Sequence, residues 1–220
     1  MHILVLGTTG PSGLAFIPEA LQAGHELTLY QRNPSKLPQD VKNNPSVNVV
    51  TGQFTDIDAV KQALSKGATV LVSFAGPVLP NKQMLIAEFY EQLFPLLQQS
   101  SIRRCMILST ASYRVPEDRS SWKWGFMTMV IKLMGGTVYQ EINAMSRATA
   151  TLLGNKVEWT LFRVPFLTNS DAKPVRAGFL GDGTDGLFLS RNSAAVWVLQ
   201  ELKANKWVGK APTLSDPGWI

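Results

Sequence analysis

The run His2 to Leu6 followed by Gly7-Thr8-Thr9-Gly10-Pro11-Ser12-Gly13 constrains this chain more than any other feature. Apolar residues without polar alternation read as a strand covered on both faces, and the run stops at Gly7. A helical pattern follows from about Ser12 to Ala23 and ends at Gly24, a residue suited to the left-handed position beyond a helix. A helix start exposes unpaired amides and the positive end of its dipole, so this junction can hold a diphosphate. Gly7 then permits the tight turn, Gly10 lets the backbone approach the anion, and Gly13 lets the helix pack closely on the strand. Pro11 near the helix start loses no needed donor, and Thr9 and Ser12 belong to the same turn. The spacing G-x-x-G-x-x-G is one residue longer at the front than the dinucleotide fingerprint, and alone it also serves a bare structural turn.

The rest of the chain supplies context for that turn. Strands are predicted over Glu26–Gln31, Val47–Thr51, Thr69–Phe74, Cys105–Leu108 and Val157–Arg163, with a last short one over Pro212–Leu214. Helices are predicted over Asp58–Lys66, Asn81–Gln99, Val138–Leu153 and Ser193–Ala204. This cadence demands right-handed crossovers, hence an α/β doubly wound, mostly parallel sheet with helices on both faces. At 220 residues and 45% hydrophobic composition, a single domain follows, spanning 1–220. Two stretches break the rhythm. Residues 111–136 carry an aromatic and Met-rich piece and read as a substrate-side insert, whereas the glycine-rich stretch around 169–190 reads as a surface excursion.

Several function classes drop out. The net charge of +5 is scattered, with no basic stripe interleaved with aromatics, so no nucleic-acid platform is expected. The most apolar window, Trp124 to Met134, is too short for a membrane span and contains Lys132. Without a basic leader or cleavage site, the expected address is cytoplasmic, as a monomer or homodimer. Two histidines and one cysteine provide no metal cluster, and Cys105 in a central strand reads as a buried, inert thiol.

Arg32 stands 22 positions after Gly10, at the end of the second strand. An acidic residue there would accept hydrogen bonds from a ribose 2′-hydroxyl, whereas an arginine can clamp a 2′-phosphate. NADP(H) is therefore expected over NAD(H), with a solvated surface arginine as the alternative; Asn33 and Lys36 add polarity nearby.

The segments MHILVLGTTGPSG, YQRNPSKL, VVTGQF, VLVSFAGP, ILSTAS and WTLFRVPFLTN extend over nearly the whole chain. Together they resemble the atypical short-chain dehydrogenase/reductases of Rossmann fold, particularly the NmrA-like and biliverdin-IXβ/flavin reductase-like branch. That resemblance implies that Gln53 and Phe54 flank an adenine, with Gln53 replacing the family's usual Asp and keeping an acceptor while losing its charge. It implies that Phe74, Ala75 and Gly76 line the adenosine and diphosphate path. It also places Ser109 and Thr110 by the nicotinamide ribose, and Pro165, Phe166 and Leu167 against the nicotinamide. Biliverdin-IXβ-like members often carry a histidine where this chain has Phe166.

Ketone reduction by hydride needs a proton donor, which short-chain dehydrogenases usually supply from a tyrosine four residues before a lysine. Tyr139 stands at the head of the long helix, but the fourth residue on is Asn143. Asn143 can donate a hydrogen bond or orient water but supplies no positive field. Tyr139 is thus either the acid or a partly buried structural tyrosine, and Tyr113 is a second candidate. Ser109 and Thr110 have no histidine to activate them and are expected to bond ribose or carboxamide. Trp122, Trp124, Phe126, Met127 and Met129 suit either a lid over a flat, greasy substrate or an extra helix packed on the core, with Gly135-Gly136 as a hinge or a stop. The combined expectation is an NADP(H)-dependent oxidoreductase of a hydrophobic small molecule. The alternative from another class is a non-redox NADP(H)-binding sensor or cofactor-retaining isomerase or cyclase, supported by the missing lysine.

Overall fold

The structure, a computed structural model, describes residues 1–77, 84–134, 136–153, 156–183 and 185–217. The chain runs β1 (His2–Leu6), α1 (Pro11–Gln22), β2 (Glu26–Gln31), α2 (Gln39–Lys42), β3 (Val47–Thr51), α3 (Ile57–Leu64), β4 (Val70–Ser73) and α4 (Leu85–Gln99). It continues through β5 (Arg104–Thr110), α5 (Trp122–Met134), α6 (Gly136–Leu152), β6 (Glu158–Val164), β7 (Phe166–Thr168), β8 (Arg176–Gly178), β9 (Phe188–Ser190), α7 (Arg191–Ala204) and β10 (Thr213–Ser215). The main sheet has the order β3-β2-β1-β4-β5-β6-β10-β8, parallel except where β8 meets β10.

Strand periodicity explains why β1 is apolar throughout. Ile3 and Val5 point to one face, where they meet Phe16, Ile17 and Ala20 of α1 and Ala195 and Val198 of α7. Leu4 and Leu6 point to the other, against the layer built from α3, α4 and α6. All four are at most 2% exposed, and burying such side chains contributes about 1.5–3 kcal/mol each. Cys105 joins the second layer, fully buried, and its burial pushes the thiol pKa up.

The 169–190 stretch is more ordered than a surface excursion. Residues Arg176–Gly178 pair antiparallel with β10, Phe188–Ser190 pair parallel with β7, and Leu180 is fully buried against Trp124 and Ala111. Three-residue strands carry too little alternation to be read from sequence, and Gly181 and Gly183 at positive φ mask them further. The expected start of the fourth-strand crossover helix at 81–83 lies outside the described residues, as does Gly135 of the proposed hinge.

A glycine outside the phosphate turn is also fixed by packing. A Cβ on Gly52 would stand 2.5 Å from Ala59 Cβ and 2.5 Å from the Tyr30 hydroxyl, which is itself held at 2.6 Å by the Gln53 carbonyl. Gly52→Ala is therefore expected to destabilise the fold by about 1–3 kcal/mol, visible as a lower urea midpoint. An unchanged midpoint would show that this corner yields.

Candidate functional site

The sheet order places a topological switch between β1 and β4, because the chain leaves β1 toward β2 and β3 but leaves β4 toward β5 and β6. In such sheets a ligand cleft opens beyond the strand carboxyl ends at that point. The two turns that floor it nearly touch. A Cβ on Gly7, whose φ is +73°, would lie 2.6 Å from both the Ala75 nitrogen and the Phe74 carbonyl carbon. The second turn is pinned from below, where Ser73 Oγ accepts from the Tyr90 hydroxyl at 2.6 Å and the Ala75 amide at 3.2 Å. Burial raises the Tyr90 pKa, so the phenol remains a donor at neutral pH.

The glycines of the first turn have different causes. A Cβ on Gly13 would collide with the Gly7 carbonyl oxygen, so this residue is required by helix-on-turn packing. Gly10 has an ordinary extended backbone (φ −75°, ψ 157°), and a Cβ there would approach nothing closer than 3.4 Å. The protein's own packing thus gives no reason for glycine at position 10, while an approaching ligand does. Gly10 is also the N-cap of α1 with no side-chain cap, and Pro11 follows at the helix start. Thr9 and Ser12 lie half-buried in the same turn.

One residue here escaped sequence reading. Thr8 is buried and donates to Gln31 Oε1 at 3.0 Å, while Gln31 Nε2, also buried, has no partner among the described residues. A glutamine at the end of the strand, beside the first turn, was the available signal. The uncapped helix, the open face of Gly10 and the orphaned Gln31 amide fit the diphosphate and ribose portion of a dinucleotide. Arg32 follows Gln31 and is exposed. Gln53 is exposed at the end of β3, and Phe54 stacks on Phe89 with centroids 4.5 Å apart. The Tyr30 phenol that holds the Gln53 carbonyl is pushed up to about 12 by burial and by Asp56, so it stays neutral.

At the other end of the cleft the predicted residues separate. Ser109 is 1% exposed, and its hydroxyl pairs at 2.7 Å with Ser146 of α6, which in turn donates to the Ile142 carbonyl. Thr110 shares a 2.7 Å hydrogen bond with Ser112. Tyr139 lies within the first turn of α6, and Asn143 Nδ2 donates to the Tyr139 carbonyl oxygen at 2.8 Å rather than to its phenol. The cation near Tyr139 comes from elsewhere: Lys132 Nζ of α5 sits 4.8 Å from the ring centroid. Pro165 is buried, Leu167 half-buried and Phe166 46% exposed, with Phe166 against Phe188. Of the aromatic insert, Trp124 anchors α5 beneath Leu180, whereas Trp122, Phe126 and Met129 are exposed. Gly76 borders open space beside Ala75.

A buried ion pair ties this end together. Arg163 at the end of β6 contacts both oxygens of Asp118 at 2.7 and 2.8 Å and also donates to the Tyr113 carbonyl. Asp118 further accepts from the Val115 and Leu180 amides. Burial alone would raise the Asp118 pKa, but the Arg163 and backbone hydrogen bonds outweigh it and hold the carboxyl below its usual value. The pair is separated by 45 residues in sequence, so no local pattern announced it.

A family model described as NAD(P)H-binding matches residues 7–205. This chain belongs to that NAD(P)H-binding family. Among solved structures of the same fold is a Veillonella parvula DSM 2008 short-chain dehydrogenase/reductase in complex with NADP, at 19% identity and TM-score 0.78, covering 99% of this chain and 95% of that one. ChuY, an anaerobillin reductase from Escherichia coli O157:H7, matches at 15% identity and TM-score 0.79 over 100% and 99%. The oxidoreductase ylbE from Lactococcus lactis matches at 15% and 0.75 over 98% and 91%. A search of curated proteins gave no match. The family match and these folds agree with the resemblance to atypical short-chain dehydrogenase/reductases.

Two outcomes follow from this geometry. Asp118→Asn leaves Arg163 charged and unpaired in the interior, and urea unfolding should show a loss of about 3–5 kcal/mol, recovered in large part by Asp118→Leu with Arg163→Met. Because the folded Asp118 pKa lies below the unfolded value of about 3.9, its contribution is complete above that pH and lost as pH falls through the folded value. The single variant should therefore lose part of the wild-type acid sensitivity. By contrast, Gly10→Ala should cost less than about 1 kcal/mol of stability yet weaken pyridine-nucleotide binding strongly in calorimetry. Equal binding by both proteins would remove Gly10 from the ligand cradle.

Proposed function

We propose that this protein is an NADP(H)-dependent reductase that transfers hydride to a hydrophobic, flat small molecule. The observation that carries the reading is the uncapped start of α1, with Gly10 open and Arg32 exposed at the neighbouring strand end. The NADP in the Veillonella parvula structure and the reductase activity named for ChuY support it. A bound nicotinamide would supply hydride from its C4.

The chain's own residues bind, orient and exclude water. The amides of Ser12 and Gly13 and the helix dipole would hold the diphosphate, and the Arg32 guanidinium would hold the 2′-phosphate. Phe74, Ala75 and Gly76 form the opposite wall, and Gln53 with Phe54 flanks the adenine. Pro165, Phe166 and Leu167 cover the nicotinamide end, where orientation in a dry site does most of the catalytic work. Tyr139 or solvent delivers the proton. Such a reductase works in the cytoplasm as a monomer or homodimer, and no helix among the described residues is long and apolar enough to cross a membrane.

A second reading has one observation in its favour. Asn143 spends its amide on the Tyr139 carbonyl, leaving no short-chain-type Tyr-Lys pair, which suits a non-redox NADP(H)-binding sensor or a cofactor-retaining isomerase. Turnover separates the two: the reductase consumes NADPH with at least one member of a quinone, flavin, enone and carbonyl panel. Saturated protein that oxidises none of them favours the second reading. For cofactor choice, Arg32→Ala should weaken NADPH about tenfold and leave NADH unchanged in calorimetry, as expected for one exposed charge-assisted contact. Equal effects on both nucleotides would turn the preference aside.

A further inference from the structure

We propose that helix α5 docks on a bilayer surface carrying acidic headgroups and lies in the interface, with Trp122, Phe126, Met129 and Leu133 sunk into the lipid. The spacing of these four residues, 4, 3 and 4, gathers them at about 100° per residue into one stripe along the helix. They are 82%, 61%, 49% and 77% exposed. Large apolar residues scattered singly over a surface need no explanation, but a contiguous stripe marks an interaction site.

The composition of the helix and its anchor explain why the stripe faces outward. In α5 only Lys123, Thr128 and Lys132 are polar, and a helix so nearly apolar all round belongs in a core or in lipid. The core side is taken by Trp124, which stands opposite the stripe, is 1% exposed and packs with Leu180 and Ala111. Rolling the stripe inward would pull that indole out. At 13 residues α5 is about 20 Å long, short of the roughly 30 Å hydrocarbon core of a bilayer, so it lies along a membrane rather than across it.

Charge decides the occupant. Lys123 and Lys132 stand about 90° to either side of the stripe's midline, so each edge carries an ammonium on a long apolar stem that can reach headgroup level. Arg114 and Arg119 are exposed just before the helix, and no Asp or Glu occurs from Arg119 to Gln140. Of the acids that bracket this stretch, Asp118 is engaged by Arg163, and Glu141 is buried and accepts from the Ile86 amide. Glu117 alone is an exposed acid there, against four cations. A second copy of the chain could also cover the stripe, but a two-fold contact presses one patch on its own image and sets these cations against cations. An acidic headgroup layer supplies the opposite sign and takes the apolar stripe out of water in the same step.

The test floats the full chain with vesicles of phosphatidylcholine and with vesicles of phosphatidylcholine and phosphatidylglycerol in equal parts. The mixed vesicles should bind about tenfold or more tightly than phosphatidylcholine alone, and added salt should weaken that binding. Tryptophan emission should move to shorter wavelength as Trp122 leaves water. Phe126→Gln with Leu133→Gln should weaken binding to the mixed vesicles about tenfold or more, at an unchanged urea midpoint because both side chains are exposed. Lys123→Gln with Lys132→Gln should abolish the preference for acidic lipid. Binding to neither vesicle, equal binding to both, or binding that survives the Phe126 and Leu133 pair of substitutions would overturn the proposal. So would a dimer in sedimentation equilibrium that this pair dissolves, since a second copy would then cover the stripe. No readout involves the nucleotide, so failure of the reductase reading would leave the docking surface standing.

Discussion

The turns after β1 and β4 approach so closely that their backbones leave no room for a side chain at Gly7, and the site depends on that contact. It brings the start of α1 and the path through Phe74, Ala75 and Gly76 to the same edge of the sheet. The contact is maintained from both sides of the sheet. Tyr90 and Ser73 hold the second turn from the α4 layer, and Gly13 lets α1 pack tightly over the first. A phenol at the bottom of the core thus controls backbone at the rim, which is how a rigid scaffold gives precision to a loop.

How much was legible in the sequence follows from how local each determinant is. The strands β1, β4 and β5 are covered on both faces, so burial writes itself into consecutive apolar residues and can be read directly. The helix start at Gly10 is equally local. The strands β7, β8 and β9 are held by partners far along the chain, and three residues cannot display a period. The same reasoning explains the candidate site residues that no local pattern announced. Gln31 matters because Thr8 lies beside it across the sheet, and Lys132 matters because α5 folds its end over Tyr139. The spacing rule that found no lysine after Tyr139 was right about α6 and silent about the neighbouring helix.

The buried Asp118–Arg163 pair is better understood as a positioning device than as a source of stability. Desolvating both ions offsets much of their attraction, and an apolar replacement of matching volume commonly does as well. What an apolar pair would lack is direction. The Asp118 carboxylate gathers Arg163 from β6, the Val115 amide from the loop after β5 and the Leu180 amide from the stretch before β9. Those three segments come from distant parts of the chain, so one carboxylate sets their spacing.

That arrangement also leaves charge at the surface. Because Arg163 satisfies Asp118 from beneath, Arg114 reaches the same carboxylate only at 3.6 Å and keeps its charge. A fold with a second acidic residue nearby would neutralise Arg114. No acidic residue lies between Arg119 and Gln140 in the sequence, and Phe166 and Phe188 are exposed apolar residues. Charge and aromatic surface at distinct positions define a ligand's orientation before they define its identity. For hydride transfer, orientation is the larger part of the barrier that binding can lower.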